Sequence, residues 1–315
     1  MPGFLTHYVA GQELLKNLPV ELVLPIEPNE RLFNLGTQGP DFFFYYFQGQ
    51  LSKESRSVGT VMHLSNLGRF LCFMANQTKD KEKREAEAIF AYTAGFIMHY
   101  CLDSHAHPYV YARTESKSNT KLKNSADHRK FETAIDIRML NMLQDKKPAD
   151  YNQWEIIKAD EFQLSKASHA LSLGLHEVYK RRVSPSVVKK AMRQMVIFTR
   201  LLQSKTGRRK RLVNFAEKLT IKEPLFSSMV HLQEVTDNEG CLNLNNAEWC
   251  PPWDGASTES YSFVELFNRA VEDASRMVDK LYGFVFGETS LEEMQNELGN
   301  RSLKTGFDSN PDTGG

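Results

Sequence analysis

The side chains of His99, Asp103 and His107 recur every fourth residue within an otherwise apolar run at positions 91–108. This spacing predicts a helix that carries all three on one face. A helix as apolar as this is expected to be buried, and a buried imidazole or carboxylate without a partner costs several kcal/mol. The three side chains therefore need a bound cation or a closed hydrogen-bond network, and a metal ion satisfies them best.

A second pair of the same kind, His128 and Glu132, follows in a segment that Asn124 or Ser125 would cap at its N-terminus. Side chains one helical turn apart share a face and can offer two ligands to one ion. One His/carboxylate pair is weak evidence, because the same spacing is common on ordinary helices. Two such pairs in a single chain favour a metal site.

Three further candidate ligands lie upstream: His7, Asp41 and His63. Asp41 directly precedes the aromatic run at positions 42–47, where it could cap a buried helix, and a cap and a ligand are compatible roles. Both histidines lie among apolar neighbours and could be core residues with one hydrogen bond each. Considered singly, each of the three favours the structural interpretation.

Taken in order, these residues resemble the zinc-dependent phospholipase C family, whose metal site is related to that of the fungal single-strand-specific zinc nucleases. The resemblance extends from position 1 to about position 142. It is carried by five motifs, MPGFLTH at 1–7, NLGTQGPD at 34–41, GTVMH at 59–63, HYCLDSHAHP at 99–108 and HRKFE at 128–132. It implies a zinc cofactor and the hydrolysis of phosphate esters.

The resemblance also implies a role for each matching side chain. One zinc ion would be held by four of them: Asp41, His63, His99 and Asp103. A second would be held by three: His107, His128 and Glu132. Asp103 would bridge to a third ion held by His7 and the chain's amino terminus, so that two or three Zn²⁺ ions are expected. Asp41 would in addition be catalytic, because it would orient or deprotonate the attacking water.

The implied reaction is phospholipase C-like hydrolysis of a phosphodiester by metal-activated water, which releases a phosphorylated head group from a phospholipid. The expected partner is a small phosphate ester or a phospholipid. A nuclease or nucleotide phosphatase would use the same metals and would place stacking aromatic residues and a basic groove beside them. A non-catalytic zinc-binding helical protein is the third alternative, because structural sites saturate their ligands whereas catalytic sites keep an open position.

The sequence departs from the family pattern at two points. The family's second-site histidine lies ten residues after the HxxxD histidine, where this chain has Tyr109, so the ligand must be His107 or His105. On a helix, His107 lies about 40° from Asp103 and His105 about 160° away in the other sense, which favours His107. Pro108 is expected to end this helix just beyond His107. The family's amino-terminal tryptophan has no counterpart here, which leaves the third ion open.

The composition is typical of a soluble protein. The 39 basic and 39 acidic side chains give a formal net charge of zero, which weighs against a nucleic-acid partner. The four cysteines are far apart and match no disulfide framework, as is typical of reduced cytosolic thiols. The chain begins without a signal-peptide pattern, and no apolar run approaches the ~20 residues of a membrane span. We therefore expect a cytoplasmic protein without a transmembrane segment.

Apolar residues at three- and four-residue spacing predict helices through most of the chain, and alternating β-branched runs are nearly absent. The predicted helices are 34–47, 58–75, 81–108, 125–144, 155–181, 185–205, 208–220 and 260–286. This pattern predicts an all-α, multi-helix bundle with the metal site between helices. We expect a metal-binding helical core at 1–150, a helical remainder at 151–290 packed on it as one continuous domain, and a disordered tail at 291–315.

Overall fold

The computed structural model describes residues 3–46, 49–114, 121–202, 240–255 and 257–309. Within these residues the chain is predominantly helical and has no β-strand, although isolated β-bridges join Trp249 to Glu259 and Arg301 to Asp308. The predicted all-α fold is therefore confirmed. The predicted helix at 208–220 lies outside the described residues.

We number the α-helices of the described residues in chain order. They are α1 (Phe4–Asn17), α2 (Val20–Val23), α3 (Glu30–Gly36), α4 (Gly49–Leu64), α5 (Leu67–Thr78), α6 (Lys83–Thr114), α7 (Lys121–Gln144), α8 (Gln153–Ile156), α9 (Glu161–Tyr179), α10 (Pro185–Leu202), α11 (Phe263–Phe286) and α12 (Leu291–Leu298). Short 3-10 helices lie at Glu27–Asn29, Gly39–Tyr45 and Pro148–Asp150.

Helix α6 forms the centre of the bundle. Helices α3, α5, α9 and α11 all pack against it, so nearly every side chain at positions 86–110 is buried. Helix α3 approaches α6 unusually closely, since a Cβ on Gly36 would come within 2.3 Å of the Tyr92 carbonyl oxygen. This approach brings the end of α3 and the 3-10 helix that follows it beside the middle of α6, where the metal-ligand candidates lie.

Helix α6 extends further than the sequence predicts. The prediction that Pro108 ends the helix is wrong, because α6 continues through it to Thr114. A helical proline leaves the carbonyl four residues earlier without its backbone donor. Here that carbonyl belongs to Ser104, and Gly306 of the C-terminal segment packs against it. Burial of Tyr109 beyond the proline adds packing that offsets the lost hydrogen bond.

Three other predicted helices are interrupted, and one of them, at 155–181, is divided between α8 and α9. The other two carry candidate ligands. The predicted helix at 58–75 is divided between α4 and α5, because Asn66 between them adopts a left-handed conformation with φ of 60°. The predicted helix at 34–47 is divided between α3 and the 3-10 helix Gly39–Tyr45, with Pro40 near the start of the second. The interruption at Asn66 follows the candidate ligand His63, and the interruption after α3 precedes the candidate ligand Asp41.

The C-terminal segment is folded as far as residue 309, in contrast to the expected disordered tail at 291–315. Helix α12 begins after Ser290, whose side chain caps it, and Met294 and Leu303 are fully buried. The polar composition of the segment predicts disorder, but these few apolar anchors are enough to pack it. Positions 310–315 lie outside the described residues, and the expected division into a core and a helical remainder stays a prediction.

Candidate metal centre

Helix α6 supplies the central part of the site. His99, Asp103 and His107 lie on one of its faces and are at most 2% exposed. The Asp103 carboxylate approaches both imidazoles, with Oδ2 3.2 Å from His99 Nε2 and 3.8 Å from His107 Nδ1. Because Asp103 has no exposed surface, water cannot solvate its charge. Only the surrounding side chains or a cation can stabilise it.

Three elements that precede α6 in the chain bring further ligand candidates to Asp103. Helix α1 places His7 Nε2 3.2 Å from Asp103 Oδ1 and stacks the His7 ring on that of His99, with centroids 4.3 Å apart. Helix α4 places His63 Nε2 3.9 Å from Asp103 Oδ2. The 3-10 helix places Asp41 Oδ1 3.3 Å from the same His63 nitrogen. Four elements thus meet around one buried carboxylate.

Helix α7 contributes the other end of the site. Its His128 and Glu132 lie one turn apart, and His128 Nε2 is 2.8 Å from Glu132 Oε1. The centroid of the His128 ring is 6.3 Å from that of the His107 ring. The pair therefore lies beside His107, at the C-terminal end of the α6 stripe formed by His99, Asp103 and His107.

The donor atoms of these side chains form three groups, in each of which all atoms lie within 4.8 Å of one another. The groups are His7/His99/Asp103, Asp41/His63/His99 and His107/His128/Glu132. The first two groups share His99. The structure thus brings together every candidate ligand named from the sequence, in an arrangement that could hold adjacent metal ions.

Backbone carbonyls determine which ring nitrogen of two histidines faces the site. His63 Nδ1 donates to the Gly59 carbonyl at 2.7 Å, and His99 Nδ1 donates to the Thr37 carbonyl at 3.1 Å. A neutral imidazole that donates through Nδ1 has its lone pair on Nε2. In both residues Nε2 is the atom that approaches the carboxylates. A carbonyl behind each histidine is the usual outer shell of a metal site.

The His99 ring is also confined by the 3-10 helix. Gly39 has a φ of +50°, and a Cβ added there would lie 2.2 to 2.6 Å from three atoms of the His99 imidazole. Only glycine combines an unstrained left-handed conformation with the absence of a Cβ. The second glycine of the NLGTQGPD motif therefore makes room for a candidate ligand from a different element.

The group at the α7 end has the same kind of support. His107 Nδ1 donates to the Leu303 carbonyl, which leaves the buried Nε2 for the group. The Thr114 hydroxyl donates to the Val110 carbonyl at 2.7 Å, so it can only accept the bond from His128 Nδ1 at 3.0 Å. His128 therefore presents Nε2 to the carboxylate beside it.

Many buried polar atoms of the site have no hydrogen-bond partner among the described residues. They are His7 Nδ1 and Nε2, Asp41 Oδ1, His99 Nε2, both carboxylate oxygens of Asp103, and His107 Nε2. Leaving so many polar atoms unsatisfied in one place would cost several kcal/mol. They are imidazole nitrogens and carboxylate oxygens, the atoms that bind zinc in proteins. A cation among them would satisfy most of them, so the residues present fit a zinc centre.

Burial also sets the protonation of the site. It lowers the pKa of His107 to about 3 and also lowers the pKa of His7, because a buried imidazolium loses its hydration. Both rings are therefore neutral near neutral pH, which is the form that binds metal. Burial alone would raise the pKa of the Asp103 carboxyl, but the surrounding imidazoles hold it well below its usual range. Asp103 is thus ionised, as a metal ligand must be.

His105 lies outside this arrangement. Its Nε2 is 2.8 Å from Asp273 Oδ2 on α11, and Arg301 Nη1 is 3.1 Å from the same oxygen. Of the two residues that the sequence leaves as alternatives, the structure places His107 beside His128. His105 instead forms a hydrogen bond with Asp273 on another side of α6.

Asp136 holds α1 in place, a role that is not among the predictions from the sequence. Its carboxylate accepts hydrogen bonds from two backbone amides at the start of α1, the shorter one 2.8 Å from Thr6 N, and from the Thr6 hydroxyl. The anion thus caps the helix that carries His7. A signal was present in the sequence, because Asp136 lies one helical turn after Glu132 on the same face of α7.

Comparison with known proteins agrees with this geometry. The profile of the family described as zinc dependent phospholipase C matches residues 6–180, a stretch that contains every candidate ligand, and this confirms the resemblance found in the sequence. No curated protein and no solved structure matches the chain. None of the helices in the described part of the chain is both long and apolar enough to cross a membrane. The chain belongs to the zinc-dependent phospholipase C family, whose members hydrolyse phosphoric diesters with zinc as cofactor.

Proposed function

We propose that this centre hydrolyses the phosphodiester bond of a phospholipid or a related phosphate ester, with zinc bound at its donor groups. One observation supports the proposal above all others. Histidine and carboxylate atoms from five separate elements form three donor groups along α6, and many of them are buried without a hydrogen-bond partner among the described residues. A hydrophobic core gains nothing from such an arrangement, whereas a metal centre requires it.

The proposed ligand sets follow the family resemblance, and each of them takes at least two side chains from one donor group. One ion is assigned to four side chains: Asp41, His63, His99 and Asp103. A second is assigned to three: His107, His128 and Glu132. A third is assigned to His7 and Asp103; the amino terminus that the family resemblance adds to this set lies outside the described residues. The shared His99 of two donor groups supports adjacent ions.

The chain's own residues divide the chemistry between them. When bound, zinc would polarise the phosphoryl oxygens and lower the pKa of a nearby water molecule. Asp41 is 8% exposed whereas Asp103 has no exposed surface, so of these two carboxylates only Asp41 can contact a water that enters from solvent. We assign to Asp41 the orientation of the attacking water and the acceptance of its proton. Asp103 is assigned the neutralisation of the cations.

A lysine and two aromatic rings border the group at the α7 end. Tyr111 packs on the rings of His107 and His128, with centroids 5.6 and 4.8 Å apart. The Trp253 ring lies 5.4 Å from that of Tyr111, and Lys304 Nζ lies 5.3 Å from the Tyr111 centroid. Lys304 has no ion pair with a carboxylate of the described residues. Its ammonium can therefore bind a phosphate oxygen, which supports an anionic phosphate ester as the substrate.

The proposal is tested by zinc analysis of the purified protein together with a hydrolysis screen. We expect zinc at the three donor groups and release of a phosphorylated head group from phosphatidylcholine vesicles. A chelator should abolish this release and added zinc should restore it. Single-stranded DNA and nucleoside monophosphates are tested in parallel. Hydrolysis of the first would indicate a nuclease, and hydrolysis of the second would indicate a phosphatase. Zinc retention without hydrolysis of any of these substrates would indicate a structural zinc protein and refute the proposal.

Asp41→Asn and Asp279→Asn form a matched pair of variants for the same assay. Both remove one carboxylate, but Asp279 is exposed on α11. If Asp41 accepts the proton of the attacking water, Asp41→Asn should lose about 10²–10⁴-fold in turnover, whereas Asp279→Asn should keep the wild-type rate. Equal rates in the two variants would remove Asp41 from the mechanism.

A further inference from the structure

We propose that the C-terminal segment 299–309 is a positioning element of the metal centre and acts through the Leu303 carbonyl on His107. The segment lies outside the residues 6–180 that the family profile matches. The inference rests on the proposed function, because it concerns the ability of His107 to bind zinc. It adds a part of the chain that neither the candidate ligands nor the family assignment identifies.

The direct contact joins Leu303 to His107. The Leu303 carbonyl accepts a hydrogen bond from His107 Nδ1, and both residues are buried. The bond fixes the tautomer with the lone pair on Nε2 and fixes the rotation of the ring. Nε2 is buried and has no hydrogen-bond partner in the described part of the chain, and His107 belongs to the donor group with His128 and Glu132. Without the carbonyl, the ring could rotate or present the wrong nitrogen to that group.

The same segment also contacts the end of α4. The Lys304 amide and the Ser302 hydroxyl both donate to the His63 carbonyl, each at 3.3 Å. The Ser309 hydroxyl accepts a bond from the Asn66 amide at 3.4 Å, just beyond that helix. The segment therefore bridges two helices that carry candidate ligands at opposite ends of the centre.

Internal hydrogen bonds give the segment a defined shape. The Ser302 amide donates to the Phe307 carbonyl, and the Ser309 amide donates to the Asn300 carbonyl, each at 2.8 Å. These bonds close a tight loop with Leu303 within it. The fully buried Leu303 side chain then anchors the loop in the core and holds the carbonyl against His107.

An anchor on another side of α6 fixes the start of the segment. The Arg301 amide donates to the Tyr100 hydroxyl at 2.7 Å, and that hydroxyl donates to the Leu298 carbonyl at 2.9 Å. The Arg301 guanidinium donates to Asp273 Oδ2 at 3.1 Å, and His105 Nε2 lies 2.8 Å from the same oxygen. His105 thus belongs to the anchor of the segment, whereas His107 receives its contact.

Three single-residue variants of the full-length protein test the direct contact. Leu303→Ala removes the side chain that anchors the carbonyl, Leu303→Met keeps a side chain of similar volume, and Leu171→Ala makes a comparable cavity in α9. Leu171 is also fully buried. Zinc affinity is measured by competition with a chelator, at a temperature at which circular dichroism shows all variants folded. The visible absorption of the cobalt-substituted proteins reports the geometry of the bound metal.

We expect Leu303→Ala to weaken the binding of one zinc ion by about 10–100-fold, as loss of an outer-shell contact does, and to change the cobalt spectrum. Leu303→Met should restore both towards wild type. Leu171→Ala should lower the melting temperature of the metal-free protein while leaving zinc affinity unchanged. Equal zinc affinities in Leu303→Ala and Leu171→Ala would overturn the positioning role.

A second pair of variants keeps the test decisive if Leu303→Ala does not fold. Asp273→Asn weakens the Arg301 anchor without making a cavity, and Glu272→Gln removes a charge from the neighbouring, exposed position. Asp273→Asn should weaken zinc binding and Glu272→Gln should not; identical affinities would overturn the proposal. Absence of zinc from the wild-type protein would instead overturn the proposed function, and the positioning role with it, so the two failures are distinguishable.

Discussion

Replacing Gly39 with alanine should damage the metal centre without changing any candidate ligand. The new Cβ would lie 2.2 Å from His99 Cδ2, 2.4 Å from Cγ and 2.6 Å from Nε2. The backbone at this position, with φ of +50°, is also one that a residue with a side chain adopts only under strain. The substitution therefore acts on one neighbouring ring and on one backbone conformation.

Both effects can be given a magnitude. The left-handed conformation costs a non-glycine residue about 1–2 kcal/mol. An ordinary contact of about 3.5 Å requires the His99 ring to move by about 1 Å. Such a shift would break its bond to the Thr37 carbonyl, which contributes about 0.5–1.5 kcal/mol net. We therefore expect the free energy of unfolding of the metal-free protein to fall by about 1.5–3.5 kcal/mol, and zinc affinity to fall by about 10–100-fold.

The assay is urea unfolding of the metal-free and the zinc-loaded protein, combined with zinc analysis. Gly255→Ala is the matched control, because a Cβ at Gly255 would meet no atom of the described residues within 4 Å. Its free energy of unfolding should stay within about 0.5 kcal/mol of wild type in both states. Zinc stabilises the native state by mass action. The increase in the free energy of unfolding on zinc loading should therefore be smaller in Gly39→Ala than in the wild-type protein.

A double-mutant cycle separates the backbone strain from the clash with the ring. In a His99→Ala background the clash is absent, so Gly39→Ala should cost only the conformational part, about 1–2 kcal/mol. A larger cost in the wild-type background would measure the coupling between Gly39 and His99. Wild-type stability and zinc content in Gly39→Ala would refute the placement of Gly39 against His99.

Other substitutions test the remaining parts of the centre. Asp103→Asn should lower zinc content and the melting temperature together, because zinc stabilises only the native state. If chelator left the melting temperature of the wild-type protein unchanged, this reasoning would be contradicted. His107→Ala should empty the group at the α7 end and abolish phosphodiester hydrolysis, whereas His105→Ala should keep the zinc stoichiometry; the opposite pattern of zinc content would reverse the assignment. Asp136→Ala should cost about 0.5–2 kcal/mol through loss of the α1 cap and should release zinc bound by His7, both measurable on one preparation.

The sequence predicts best what depends on local periodicity. His99, Asp103 and His107 share a face because α6 is a regular helix, and the same rule aligns His128 with Glu132. The choice of His107 over His105 also follows from helix geometry alone. Their angular separations from Asp103 around the helix axis, about 40° and about 160°, differ by more than a local irregularity of the helix would change them. The continuation of α6 through Pro108 does not follow from it, because the packing that sustains the helix comes from distant parts of the chain.

The convergence of His7, Asp41 and His63 on α6 could be predicted only through the family resemblance. These residues lie on three separate elements, and no local rule relates their positions. The contribution of Leu303 could not be predicted at all, because every residue has a backbone carbonyl and only the fold decides which one meets His107. The polar composition of the C-terminal segment pointed to disorder, although a few buried apolar side chains suffice to pack it.

The most direct test of the metal centre is anomalous scattering from crystals of the purified protein at the zinc absorption edge. We predict zinc peaks within about 2.0–2.2 Å of His99 Nε2 and His107 Nε2, one at each end of the α6 stripe. A peak between His7 and Asp103 would show the third ion. Absence of zinc within coordination distance of both His99 and His107 in protein prepared without chelator would contradict the account.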